Sequence, residues 1–134
     1  MPRNVLIADA NDSLVERIRW ALSEQGYGVR TAQSSEDVMR HTEAATIDLL
    51  VIGDTLPGQG WRALLTRLRQ DRISNALPVI MLTANIDDIQ ALIAWHEGID
   101  SFQSTRESAL PVLTLELSAK IKRIFRSLEE DGSP

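Results

Sequence analysis

Asp48–Gly58 reads DLLVIGDTLPG: four consecutive apolar residues, Leu49 to Ile52, run out into a Gly/Pro turn. A run this short and continuous predicts a strand buried on both faces. Open α/β sheets place their chemistry where such strands end. Similar runs at Val5–Ala8 and Val79–Leu82, with weaker ones at Gly28–Ala32 and Ile99–Gln103, predict four further strands. Between them apolar residues recur every three or four positions, as in Leu14, Ile18, Ala21 and Leu22 or in Leu64, Leu65 and Leu68, the pattern of helices that cover a sheet.

Punctuation fits these boundaries. Asp12 or Ser13 is expected to cap the first helix, Gly26 and Gly28 to end it, and Ser34 or Ser35 to cap the second. Gly98 closes the fourth, and Pro111 suits the first turn of the last. Strict alternation with right-handed crossovers predicts an α/β fold: a single doubly wound five-stranded parallel sheet in strand order 2-1-3-4-5, with five helices. The expected domain spans residues 1–128, with a frayed polar tail over 129–134.

A chain of 134 residues suits one domain, burying about two-thirds of the surface its unfolded form exposes. With 43% hydrophobic and 25% charged residues, the chain is neither disordered nor disulfide-built. It has no cysteine, which excludes thiol catalysis and thiolate metal sites. The first apolar run is broken by Asp9 and is too short for a signal-peptide core or a membrane span, so a cytoplasmic location is expected. A formal charge of -5 argues against direct nucleic-acid binding.

Four segments, VLIADAND (5–12), DLLVIGDTLPG (48–58), LPVIMLTAN (77–85) and HEGIDSF (96–102), fall in the order and at the distances of the first, third, fourth and fifth strands of response-regulator receiver domains. The chain resembles that family over nearly its whole length. The resemblance implies a flavodoxin-like fold, a role in two-component signalling, and phosphoryl transfer to an aspartate carboxylate beside a magnesium ion held by acidic residues. It also implies where this chain departs. The acceptor position, four residues before Pro57, is Gly53; the acidic pair after the first strand is Asp9 and Ala10; the lysine and proline after the fifth strand are Thr105 and Arg106. Thr83 retains the hydroxyl that follows the phosphoryl group, and Phe102 matches the aromatic switch residue without the usual tyrosine hydroxyl.

These departures are mutually consistent, because a pocket with fewer carboxylates needs no compensating lysine. The expectation is therefore a degenerate receiver, or pseudo-receiver, that is not an enzyme, needs no cofactor, and acts by binding signalling proteins or an output domain. The alternative is a phosphorylatable receiver that uses a displaced aspartate, Asp54 or Asp9, with magnesium. Side-chain alternation would turn Asp54 away from Asp9 unless the strand is bulged. Asp9, Asp12 and Asp54 are weak metal candidates whose ordinary roles are helix caps and solvated groups. A flavodoxin-like enzyme or cofactor binder would share the sheet, but ADANDS is a poor phosphate loop.

His41 and His96 read as surface residues, and Arg62, Arg67, Arg69 and Arg72 as a solvated face. In the last helix, Leu113, Leu117, Ile121, Ile124 and Leu128 form the stripe expected to pack on the sheet, with Val112, Leu115 and Phe125 beside it. Trp95, Leu115 and Phe125 are the candidate interface residues, on the face of the fourth helix, fifth strand and fifth helix through which receivers dimerise or dock partners.

Overall fold

Apolar runs alternating with amphipathic ones give the chain two kinds of element in strict succession, seen in a computed structural model that describes residues 2–44, 46–71, 76–84 and 87–131. They are β1 (Asn4–Ala8), α1 (Asp12–Glu24), β2 (Gly28–Ala32), α2 (Ser35–Ala44), β3 (Leu49–Gly53), α3 (Trp61–Gln70), β4 (Val79–Thr83), α4 (Asp88–His96), β5 (Ser101–Ser104) and α5 (Leu113–Asp131). The strands form one parallel sheet in the order β2-β1-β3-β4-β5, as the sequence predicts.

Period-two alternation divides each central strand between two cores. Val5 and Ile7 of β1, Leu49 and Val51 of β3, and Ile80 and Leu82 of β4 face α1 and α5. Leu6, Leu50, Ile52, Val79 and Met81 face the other way, onto Val38 of α2, Leu64, Leu65 and Leu68 of α3, and Ala94 of α4. All five residues of β3 and all five of β4 are buried, which is why the two strands read as unbroken apolar runs.

Local chemistry differs from expectation at several ends. Asn11 caps α1, its side chain accepting from Leu14 N–H at 3.1 Å, because helix geometry begins one residue earlier than the Asp12 or Ser13 cap requires. Ser34 takes the Asp37 N–H at 3.1 Å, while Ser35 is buried and bonds the β3–α3 turn, donating to Pro57 O at 3.2 Å and accepting from Gln59 N–H at 3.0 Å. Gly58 lies in that turn at φ +119°, where a side chain would be strained and would also strike Ser35. Pro111 sits in a 3-10 helix, Glu107–Val112, that precedes α5 and is not the first turn of α5 itself.

The fifth strand begins at Ser101, two residues later than its apolar run, because Ile99 is spent on the core beneath α4. At the other end α5 continues through Asp131, past the expected start of a frayed tail at Glu129. Residues 132–134, Arg72 and Asn85 lie outside the described residues.

Phe125 and Leu128 exchange their expected roles. Phe125 is only 5% exposed, packing on the core with its ring centroid 5.9 Å from that of Tyr27, so it is not an interface residue. Leu128 is 41% exposed. The buried stripe runs Leu113, Leu117, Ile121, Phe125, a strict four-residue step, and Ile124 is only partly buried.

The arginines of α3 are not simply solvated. Arg69 donates to Leu77 O and to Gly98 O, both at 2.7 Å, tying α3 to the entry of β4 and the exit of α4. Arg62 and Arg67 bridge Glu97 and Glu36. Replacing fully buried Leu50 by Ala is expected to cost about 2–5 kcal/mol. Leu115→Ala, at a site 72% exposed, should stay within ~0.5 kcal/mol. Urea unfolding of the two variants checks the pair.

Candidate functional site

Parallel strands deliver their C-terminal ends to one edge of the sheet, and there the connections after β1, β3, β4 and β5 surround a cavity of about 530 Å³. Asp9, Asp54, Ala84 and Thr105 contribute to its wall, with Leu14 and Arg17 from α1. Asp54 N–H donates to Leu82 O at 3.1 Å and Thr105 N–H to Thr83 O at 3.0 Å, which extends the ladder just past the strand ends and fixes both loops against β4.

Asp9 is 7% exposed. Its Oδ1 accepts the Asn11 N–H at 2.8 Å, and its carboxylate lies over Gly53. A Cβ added to Gly53 would meet Asp9 Cγ at 2.7 Å and Oδ2 closer still. The space in which a side chain at position 53 would begin is therefore filled by Asp9. Burial holds the Asp9 carboxyl above the usual carboxylate range, the Asn11 N–H opposes that rise, and the charge of Asp54 adds to it.

Asp54 does face the cavity. Strand geometry ends at Gly53, so period-two alternation no longer governs the next residue. Its Oδ2 accepts from Thr83 Oγ1 at 2.7 Å. Asp9, Gly53, Asp54, Thr83 and Thr105 are thus brought to one edge, while Ala10 is exposed and Asp12 starts α1. Among the described residues no three His, Cys, Asp or Glu side chains are grouped closely enough to hold a metal ion.

The family model described as the response regulator receiver domain matches residues 5–108. The chain belongs to that family. This receiver is 31% identical over 133 residues to the transcriptional regulatory protein AfsQ1 of Streptomyces coelicolor, covering 99% of this chain and 55% of that protein. It is 27% identical over 129 residues to the alkaline phosphatase synthesis transcriptional regulatory protein PhoP of Bacillus subtilis, covering 96% of this chain and 51% of that one. The chain spans about half the length of the curated relatives it matches. A CheY-like response regulator receiver domain protein from Methanospirillum hungatei superposes with a TM-score of 0.85 at 21% identity, over 98% of this chain and 100% of that one, which shows the shared fold.

Several residues that shape this receiver's pocket had no motif to reveal them. Asn11 both caps α1 and clamps Asp9. Arg17 donates to Leu110 O at 2.5 Å, closing α1 onto the turn before α5, and Arg106 Nε donates to Ala84 O at 2.6 Å. On the α5 side Lys120 donates to Phe102 O at 2.7 Å and to Gln103 Oε1 at 2.8 Å, and desolvation lowers its pKa. Phe102 itself packs against the α2–α4 core. Of the candidate interface residues, Trp95 and Leu115 are exposed.

Two expectations test the Asp9–Gly53 packing. Gly53→Ala should cost about 1–3 kcal/mol by overpacking. Most of that cost should vanish in an Asp9→Ala background, where the intruding methyl group meets no carboxylate; a double-mutant cycle from urea midpoints measures the coupling. The second concerns pH. A raised folded pKa means that the native state binds its proton more tightly than the unfolded chain. Asp9's favourable contribution is therefore full below the unfolded value of ~3.9 and is lost as pH rises through its folded value. Asp9→Asn keeps an oxygen for the Asn11 N–H but no charge, so its stability relative to the parent should improve from about pH 4 to pH 7. A variant that instead falls further behind at pH 7 contradicts that burial effect.

Proposed function

We propose that this receiver signals without a phosphoacceptor aspartate, through contacts with signalling proteins or an output domain. The observation that carries the reading is the seating of the Asp9 carboxylate over Gly53, which leaves the position assigned to the acceptor without a nucleophile and with Asp9 where its side chain would begin. Ala10 and Thr105 support it, since a metal-binding acid and the charge-compensating lysine are replaced in the same pocket.

The residues present do not fit magnesium as the family resemblance implies. Asp9 has one oxygen committed to Asn11 and is already strained toward protonation by burial, and Asp54 is engaged by Thr83. No step is assigned to a metal, and the module is not an enzyme on this reading. A cytoplasmic location goes with it; among the described residues no helix is long and apolar enough to cross a membrane.

The face of α4, β5 and α5 is the proposed contact surface, for a partner or a second copy. Trp95 of α4 is 64% exposed, Leu115 of α5 72% and Val112, just before α5, 45%, and large apolar side chains in water favour association.

One observation favours a second reading, in which Asp54 is a displaced acceptor: its carboxylate reaches the cavity and bonds the retained Thr83 hydroxyl. Incubation with acetyl phosphate and magnesium, read by intact mass, separates the two. The expected result is no added phosphoryl group and no amide shifts on addition of beryllofluoride. A phosphoryl adduct that is lost in Asp54→Asn, or one that persists there but is lost in Asp9→Asn, overturns the first reading.

A further inference from the structure

At the opposite edge of the sheet, where β1 begins and α5 nears its end, a second cavity of about 270 Å³ lies between Arg3, Tyr27, Lys122, Phe125, Arg126 and Glu129. Three of these residues are cations and one, Glu129, is an anion, an excess of positive charge in a chain whose formal charge is -5. The guanidinium of Arg3 is held in place: it stacks 4.7 Å above the buried Phe125 ring and reaches Glu129 at 3.3 Å. Tyr27 packs against the same ring and also lines the pocket.

Lys122 and Arg126 stand one turn apart on α5 and both line the cavity. Neither makes a hydrogen bond or an ion pair with any described residue. Like charges at this spacing repel, and Glu129 and Glu130, three and four residues beyond Arg126, offset part of that repulsion. A carboxylate placed between them would reverse the sign of that interaction, and guanidinium groups are well shaped to receive one in paired hydrogen bonds.

We propose that this pocket docks an acidic segment of a partner protein, receiving an Asp or Glu carboxylate among Arg3, Lys122 and Arg126. The cavity is open to solvent and has Tyr27 and Phe125 in its wall. Nucleic acid is the poorer occupant, because an extended polyanion would leave the pocket for a surface of net negative charge. The site is independent of the strand-end pocket and of whether Asp54 can be modified.

Titration of the isotope-labelled protein with a capped hexaglutamate peptide at low salt tests this by NMR. Shifts are expected at Arg3, Tyr27, Lys122 and Arg126. Binding should weaken at least about ten-fold in Lys122→Gln/Arg126→Gln and fall as salt is raised. Arg40→Gln, at an exposed position on α2, should bind as the parent does. Lys122→Gln alone serves as the milder variant, with a smaller loss in the same direction, should the pair of changes disturb α5. Shifts centred elsewhere, or unchanged affinity in folded variants, overturn the proposal. Equal or tighter binding of oligothymidylate at the same residues overturns it in favour of a nucleic-acid site.

Discussion

The burial of β3 on both faces, between β1 and β4 in the plane and between two helical layers above and below it, is the constraint on which the remainder of the fold rests. A strand so placed can carry no polar side chain along its length without leaving it unpaired. Polar groups are therefore confined to its ends, and in a parallel sheet the carboxyl ends of all the strands share one edge. The same constraint that makes Leu49–Ile52 uniformly apolar thus collects Asp9, Asp54, Thr83 and Thr105 around one cavity.

Within that edge a single missing side chain rearranges the electrostatics. Gly53 offers a small buried space, and the carboxylate of Asp9, just past the end of the neighbouring strand, occupies it. Asp9 gains an N–H bond there and loses water, and burial is the larger of the two effects on its protonation. Asp54, one residue beyond the strand, is near enough to add to that unfavourable charge and is itself held by a neutral hydroxyl. Thr105 brings no cation to relieve either group. The arrangement is stable as packing while giving up the charge compensation that a carboxylate pair would otherwise call for.

The fold was legible because its signals are redundant: period-two burial, helical spacing and Gly or Ser punctuation all agree on the same five units. Family resemblance, more than residue patterning, located the pocket. What the sequence did not disclose were orientations decided by single backbone steps. Asp54 faces the cavity because β3 stops at Gly53, a boundary one residue too fine for pattern reading. Phe125 replaced Leu128 in the buried stripe because α5 keeps a four-residue step from Leu113 onward, and a helix only partly covered by the sheet buries one row. Asn11 does not stand out as a cap because Asp12 and Ser13 beside it are equally good ones on composition.

The burial of Phe125 has a consequence at the far edge of the sheet. An exposed ring there would be an apolar contact point, but a buried one becomes a platform for the Arg3 guanidinium, which also pairs with Glu129. α5 therefore presents two chemically distinct surfaces: apolar Leu115 near its start, next to Val112 at the end of the preceding 3-10 helix, and basic Lys122 and Arg126 near its end. Two such surfaces on one rigid helix can select a partner by different physics. Apolar area supplies affinity with little orientation, whereas fixed charges supply register and discrimination. A receiver whose Gly53 position is covered by its own Asp9 carboxylate would still have, along this helix, the means to distinguish one partner from another.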